Sequence, residues 1–380
     1  MSAPLRVATV IARLEGGAGA HALRGLAGLD RAAFEPVIVT GSGGRLVAQA
    51  AERGIDVIVE PGLRAEIAPL SDLRALRRLT GLLAELAPDI AHTHCSKAGA
   101  LGRVAARRAG IGRIVHTYHG FGFHEFQSAA RRRALIAVER RLGRITDVGL
   151  CVGTGVAVEA IRRGLLAPER VRTIAVPVQS SGRLAGAPRG QARTDARARL
   201  GVPEDRQLVG AVGRLTYQKA PEDFIAAIAA LDRPGVTGVW IGDGELAGRV
   251  AALARTAGPD IMLAGDRADV AELLPALDVF ALPSRYEGLP MAVAEAMACG
   301  VPVAATAVNA VADLVEPGVT GLLVPPQRPE LMAAAIGYLL DSPAAAARMA
   351  AAGQARIGAR YSAAGLSAAL TAAYRPDWAA

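Results

Sequence analysis

The chain has 380 residues, of which 52% are hydrophobic and 4% aromatic, and its formal net charge at pH 7 is +8. This length suits two domains that each bury a core, and the composition excludes a disordered chain. No apolar run is long enough to predict a membrane-spanning helix.

The basic charge is compatible with nucleic acid, anionic lipid or a phosphorylated substrate as partner. Aromatic side chains for stacking on bases are scarce, which disfavours nucleic acid. The three cysteines, Cys95, Cys151 and Cys299, lack metal-type spacing and indicate a reducing compartment. The first residues read as a strand and not as a signal peptide, so we expect a cytoplasmic protein.

Strands and helices alternate along the first half of the chain, which predicts an α/β domain with a parallel sheet over residues 1–178. The helix at 71–87 is opened by the capping pair Ser71 and Asp72. Apolar runs typical of buried strands lie at 5–12, 36–40, 55–60, 89–95, 114–118, 148–152 and 171–176.

A glycine-rich turn follows the first predicted strand. Gly17, Gly19 and Ala22 fit the dinucleotide fingerprint, but the second strand lacks the acid that a nicotinamide-binding unit places at its end. We therefore predict that the turn at Gly16 and Gly17 lets the backbone approach a phosphate or a substrate.

The histidines are concentrated in the first domain. His92 and His94 alternate along one strand, and no Cys or carboxylate set completes a zinc site, so we predict no metal. His119 lies in a loop at the carboxyl end of a strand, where parallel sheets bind ligands, and is a candidate site residue. We expect His92, His94 and His116 to be structural.

The helix predicted at 128–144 is strongly basic. Leu135, Val138 and Leu142 form an apolar stripe at helical spacing. Such a helix can lie on an anionic membrane, or it can be a solvated face packed on its own core. Its arginines are Arg131, Arg132, Arg133, Arg140, Arg141 and Arg144.

A stretch rich in Gly, Pro, Ser and Arg opens the predicted connection between domains, residues 179–207. The second domain, 208–362, again alternates, with strands at 208–213, 236–241, 261–264, 279–282 and 301–305 and helices from 329 onward. We predict a final helix at 363–374.

Two acids stand between the strands 279–282 and 301–305. Glu287 lies in a polar loop and Glu295 on the following helix, 291–299, whose other residues are mostly Ala, Met and Val. A carboxylate is costly on such a helix unless it has a function. The backbone amides at the helix start, which could bind an anion or sugar oxygens, belong to Gly288, Leu289 and Met291.

This stretch, EGLPMAVAEAMACGVPV, resembles the retaining nucleotide-sugar glycosyltransferases of family four. Their fold, GT-B, has two Rossmann-like domains with parallel sheets facing a central cleft. The resemblance implies that Glu287 contacts the donor sugar and that Glu295 holds the ribose hydroxyls. The sequence GRLTYQK fits the family pattern G-R-L-x-x-x-K, which implies that Arg214 and Lys219 bind the donor diphosphate.

The segments HTHCSKAG and HTYHGFGF resemble family members that assemble bacterial surface polysaccharides and lipid-linked oligosaccharides. By this resemblance His119 faces the donor sugar, and Lys97 either faces an acceptor phosphate or is solvated. At 308–310 the chain departs from the family, since Asn309 stands where Gly-Gly is usual. The remaining donor-side positions implied by the resemblance and by glycine turns are Gly16, Gly17, Gly242 and Arg267.

We therefore expect a retaining glycosyltransferase that uses a nucleoside-diphosphate sugar, with UDP favoured over GDP. The acceptor is a hydroxyl of a saccharide, a lipid-linked sugar or a natural product. We expect no cofactor, because the chain has no Asp-x-Asp triplet and Arg214 and Lys219 can take the place of a metal.

The resemblance also implies that the final segment, 363–380, crosses back to the first domain. We expect a cytoplasmic enzyme, in which residues 128–144 either contact the inner face of the membrane peripherally or form a solvated face. The alternatives are a nucleotide-sugar epimerase of the same fold and a basic nucleic-acid-binding protein.

Overall fold

The alternation of strands and helices produces two α/β units in a computed structural model that describes residues 3–64, 68–174, 176–178, 189–257 and 260–375. The first unit comprises Met1–Pro177 and Tyr361–Ala380, and the second comprises Val178–Arg360. Of the predicted connection, residues 179–188 lie outside the described residues.

Within its described residues, the first unit has a seven-stranded sheet with the order β3-β2-β1-β4-β5-β6-β7, and its neighbouring strands pair in parallel. The strands are β1 Leu5–Ile11, β2 Phe34–Thr40, β3 Asp56–Val59, β4 Ile90–His94, β5 Arg113–Tyr118, β6 Val148–Cys151 and β7 Val171–Thr173. The order changes direction between β1 and β4, the point where such sheets bind ligands.

The helices of the first unit cover both faces of its sheet in the manner required by parallel crossovers. The predicted cap of the third helix was wrong: the helix begins at Pro69, and Asp72 lies inside its first turn, where it accepts a hydrogen bond from the amide of Ala68. The helices are α1 Gly16–Ala27, α2 Arg45–Glu52, α3 Pro69–Leu86, α4 Ser96–Arg108, α5 Ala129–Gly143 and α6 Thr154–Arg162.

The described part of the second unit has a six-stranded sheet with the order β10-β9-β8-β11-β12-β13, again with parallel neighbours. Its direction of winding changes between β8 and β11. The strands are β8 Gln207–Val212, β9 Val236–Ile241, β10 Asp260–Leu263, β11 Val279–Leu282, β12 Val303–Thr306 and β13 Leu322–Val324.

One helix of the second unit was not predicted. This helix, α7, covers Arg189–Leu200, and it anchors through Arg197, whose side chain is 1% exposed and lies 2.9 Å from Asp278 Oδ2. The other helices of this unit are α8 Pro221–Leu231, α9 Ala247–Thr256, α10 Val270–Leu273, α11 Met291–Ala298, α12 Val311–Leu314, α13 Pro329–Asp341 and α14 Pro343–Arg360.

The last helix, α15 (Ala363–Tyr374), belongs to the first unit. Leu366 and Leu370 join the core beside α1, where they share a cluster with Leu26 and Phe34. A Cβ at Gly25 would lie 2.6 Å from Leu370 Cδ1, so α1 and α15 pack closely because this position has no side chain.

Candidate active site

The loop after β11, residues 283–290, places Glu287 at the carboxyl edge of the second sheet; we call it the acid loop. The Glu287 side chain is 5% exposed. Its Oε1 accepts hydrogen bonds from Lys219 Nζ at 2.5 Å and from Ser284 Oγ at 2.6 Å. Lys219 lies in the loop after β8, residues 213–220, which we call the cation loop. Because β8 and β11 flank the change in winding direction, both loops lie where parallel sheets bind ligands.

Direct hydrogen bonds hold these two loops together. The amide of Arg285 donates to the Gln218 carbonyl at 2.9 Å, and Gln218 Nε2 donates to the Tyr286 carbonyl at 3.0 Å. The buried Arg285 guanidinium donates to the Tyr217 carbonyl, pairs with Glu222 at 3.1 Å, and lies 4.3 Å from the centre of the Tyr217 ring. Sequence reasoning missed this role of Arg285, since its partners are distant along the chain.

Glu295 lies on α11, one turn after the start of the helix at Met291, and is partly exposed. Gly288 and Leu289 are buried at the end of the acid loop. The orphan amides of the first helical turn point away from the helix at this edge of the sheet and can bind an anion or sugar oxygens.

Gly242 follows β9 and has to be glycine. Its φ is 134°, and a Cβ there would lie 2.2 Å from the carbonyl oxygen of Gly213, the first residue of the cation loop. Close backbone packing at this point leaves Arg214 exposed beside the partly buried Tyr286, where its positive charge acts to lower a phenol pKa that burial raises. Arg214 is thus an exposed cation of the same loop that carries the partly buried Lys219.

Arg267, expected near the base of the nucleotide, forms a bidentate ion pair with Asp269. Arg267 Nε and Nη2 donate to the two carboxylate oxygens of Asp269, each at 2.8 Å. These bonds lower the pKa of Asp269 to about 2. The pair holds the guanidinium in one orientation after β10.

In the first unit, Gly16 and Gly17 begin α1 after the short loop 12–15 that follows β1. Gly16 has a φ of 62°, so it uses the left-handed region that glycine tolerates, although a Cβ would meet no atom there within 4 Å. Gly17 is exposed. The described strand order places this turn at the β1–β4 change in direction, which agrees with a backbone that approaches a ligand.

His119 lies in a cluster of histidines at the same edge of this sheet. Its Nε2 is 3.0 Å from His94 Nδ1, and its ring meets the His21 ring edge to face at 5.2 Å between centres. The His92 ring is tilted against the His94 ring at 4.3 Å between centres, and its two nitrogens bond to Tyr374 Oη and Thr117 Oγ1, both at 2.7 Å. The sequence predicted His119 as a site residue and His92 and His94 as structural residues, but the structure places all three in one cluster.

Burial keeps these imidazoles neutral. It lowers the pKa of His119 to about 4 and that of His92 to about 3, and it also lowers the pKa values of His21, His94 and His116 well below their usual range. Neighbouring histidines add to the effect, since a proton on one disfavours a proton on the next. Among the described residues, no three His, Cys, Asp or Glu side chains are grouped as ligands of one metal ion.

Lys97, on α4, pairs with Asp72 on α3 at 2.6 Å, with 12% and 16% of the two side chains exposed. The predicted apolar stripe on α5 is correct in part. Leu142 is buried and Leu135 is partly buried, but Val138 is 48% exposed and Ile136 is buried instead. The reason is that the buried Arg103 of α4 pairs with Glu139, which turns that side of α5 inward. Arg131, Arg133, Arg140, Arg141 and Arg144 are exposed.

No helix in the described part of the chain is both long and apolar enough to cross a membrane.

The sequence matches two family models. Residues 15–180 match "Glycosyltransferase Family 4", and residues 206–342 match "Glycosyl transferases group 1". The chain is 31% identical over 271 residues to the UDP-Gal:alpha-D-GlcNAc-diphosphoundecaprenol alpha-1,3-galactosyltransferase of Escherichia coli, covering 70% of this chain and 69% of the relative. It is 30% identical over 304 residues to the alpha-D-kanosaminyltransferase of Streptomyces kanamyceticus, covering 76% and 77%.

Solved structures give the same fold. Anabaena Alr3699/HepE in complex with UDP and glucose aligns with a TM-score of 0.83 at 21% identity, over 97% of this chain and 98% of that one. WaaG, a glycosyltransferase involved in lipopolysaccharide biosynthesis, aligns with a TM-score of 0.77 at 16% identity, over 96% and 98%. The predicted fold class, α/β with two Rossmann-like parallel-sheet domains of the GT-B type, is confirmed.

The match of both units to family models and the relatives that align over more than two thirds of both chains lead to one assignment: the chain is a glycosyltransferase and belongs to glycosyltransferase family 4.

Proposed function

We propose that this enzyme transfers a sugar from a UDP-sugar to an acceptor hydroxyl, with retention of the anomeric configuration and without a metal ion. The observation that carries the proposal is the contact between Lys219 and Glu287 at the carboxyl ends of β8 and β11. It joins a cation suited to a diphosphate with an acid suited to sugar hydroxyls.

The donor would lie along this edge of the second unit. Lys219 and the exposed Arg214 would bind the diphosphate, while Glu295 and the amides at the start of α11 would bind ribose and phosphate oxygens. Arg267 would border the base. Support for UDP comes from the relative named as using UDP-Gal and from the similar structure that holds UDP and glucose.

The chemistry would depend on charge that develops as the bond to the diphosphate breaks. Fixed cations stabilise this charge more in the transition state than in the ground state. The acceptor hydroxyl would attack the anomeric carbon from the face that the diphosphate leaves, and its proton would pass to a departing phosphate oxygen. Glu287 would hold the donor sugar. On the first unit, His119, kept neutral by burial, would be able to offer a hydrogen bond to a sugar hydroxyl.

For the acceptor, we propose a saccharide on a lipid carrier or a natural product. The named relatives use a polyprenol diphosphate sugar in one case and act as an aminosugar transferase in another. The exposed arginines of α5 favour the lipid carrier, because an anionic surface would bring enzyme and acceptor together. Lys97 would then bind an acceptor phosphate in place of its ion-pair partner Asp72.

The test is a panel of UDP-, GDP- and ADP-sugars, each incubated with and without an acceptor extract and followed by NMR at the anomeric proton. Acceptor-dependent release of UDP with an α product from an α donor supports the proposal. A β product would overturn retention, and conversion of the donor to its epimer without acceptor would favour the epimerase.

A further inference from the structure

The segment after β12 contacts the acid loop at two points. Thr306 Oγ1 donates to the carbonyl of Ser284 at 2.6 Å, and both side chains are buried. Three residues later, Asn309 Oδ1 accepts a hydrogen bond from the Glu287 amide at 3.0 Å. The acid loop is therefore held on one side by the cation loop and on the other by this segment.

The backbone conformation of Asn309 favours glycine, so the presence of a side chain at this position needs an explanation. Its φ is 44°, in the left-handed region where glycine is unstrained and where Asn is the most tolerated of the residues with a side chain. Asn309 is also exposed, so core packing does not explain why a side chain is present. Its bond to Glu287 does explain it.

We propose that Asn309 is a positioning residue, which fixes the backbone of Glu287 and thereby the direction of its carboxylate. This inference rests on the proposed role of Glu287 in holding the donor sugar. It also means that the Glu287 amide is already occupied, so the donor oxygens are left to the amides of Gly288, Leu289 and Met291.

The contribution of Asn309 should be largest during turnover. Glu287 Oε1 accepts hydrogen bonds from Lys219 and Ser284. When the donor diphosphate attracts Lys219, the carboxylate loses its cationic partner, and its position then depends on Ser284 and on the bond to Asn309. A side chain that matters mainly with donor bound should affect kcat more than the binding of UDP.

The main variant is Asn309→Gly, which removes the acceptor oxygen and suits the left-handed backbone. We expect kcat to fall by about 10-fold or more, because small misplacements of a reacting geometry are costly, while the Kd for UDP changes little. Asn309→Asp retains an acceptor oxygen and should recover part of the rate. The matched control is Gln327→Gly, another exposed residue of the second unit with a positive φ of 59°, and it should behave as wild type.

Hydrogen–deuterium exchange of the peptide that contains Glu287 gives a readout that does not need turnover. Faster exchange in Asn309→Gly, with unchanged exchange in Gln327→Gly, supports the proposed positioning role of Asn309. Unchanged exchange or a wild-type kcat in Asn309→Gly overturns it, as does an equal loss of kcat and UDP affinity. A wild-type enzyme that is inactive with every donor would contradict the proposed function, while the exchange result would still decide whether Asn309 holds the loop.

Discussion

Lys219 Nζ lies 2.5 Å from Glu287 Oε1, so two residues expected on different parts of one donor contact each other directly. Each satisfies the charge of the other in a site where an unpaired buried charge would be costly. A diphosphate that binds Lys219 therefore replaces Glu287 as the anionic partner of the ammonium group.

The two acids should respond differently to neutralisation. Glu295→Gln should weaken binding of donor and of free UDP alike, since removing one partner of a buried charged hydrogen bond costs about 2–5 kcal/mol. Glu287→Gln should leave the Kd for UDP nearly unchanged and lower kcat by about 10²-fold. Calorimetric titration with UDP and a rate assay on the same preparations test this contrast. Equal loss of UDP binding in both variants would refute the division of roles.

Activity should survive chelation. Because Arg214 and Lys219 would neutralise the diphosphate, transfer in excess EDTA should remain within about twofold of the untreated rate. Lys219→Met, by contrast, should abolish most turnover under both conditions. A rate that falls with EDTA and returns with Mn²⁺ or Mg²⁺ would contradict the proposed role of these cations.

The basic helix α5 should bind anionic vesicles. Arg131→Glu with Arg133→Glu should reduce sedimentation with phosphatidylglycerol vesicles, and added salt should reduce wild-type binding, since both act on electrostatic attraction. The matched control reverses two exposed arginines of α9, Arg249 and Arg255, with the same change in net charge. If both double variants lose binding equally, net charge and not this helix is responsible.

Acid should unfold the first unit through its histidine cluster. The pKa of His119 in the folded protein is about 4 and that of His92 about 3, below the usual 6.5. Between these values and pH 6.5 the unfolded chain binds protons that the folded chain does not bind. The contribution of these histidines to the free energy of unfolding is therefore fully present above pH 6.5. It falls as the pH drops toward 4, by about 1.4 kcal/mol per pH unit for each such histidine. Urea unfolding between pH 7.5 and 4.5 measures this slope. His92→Phe should make it shallower, and an unchanged slope would count against the assignment.

The buried hydroxyl of Tyr374 should stabilise the first unit. Tyr374→Phe leaves His92 Nδ1 without its 2.7 Å partner, and an unsatisfied buried polar atom costs about 1–3 kcal/mol. The midpoint of thermal unfolding should fall accordingly. Tyr338→Phe, at a side chain that is 48% exposed on α13, serves as the control and should leave the midpoint unchanged.

Sequence reasoning worked best where burial on both faces removes ambiguity. The strands Val236–Ile241 and Val279–Leu282 were predicted with the bounds that the structure has, because an uninterrupted apolar run of this length fits a central parallel strand. The final helix, Ala363–Tyr374, was also predicted with its observed bounds.

It failed where a charged side chain is buried by a distant partner. Arg285 looked like an ordinary loop residue, since its ion pair with Glu222 joins positions far apart in the chain. The polar composition of α7 concealed a helix anchored by Arg197, and the phase of α5 depends on the pair between Arg103 and Glu139. Local periodicity carries no information about such partners.

The membership of α15 in the first unit has a consequence for the order of folding during synthesis. Residues of the second unit are contiguous, so they can fold as soon as they leave the ribosome. The first unit, although made earlier, waits for Leu366, Leu370 and Tyr374 before its core is complete. Until then the surface of α1 beside Gly25 stays open to solvent, and a chain that ends before residue 361 would expose it permanently.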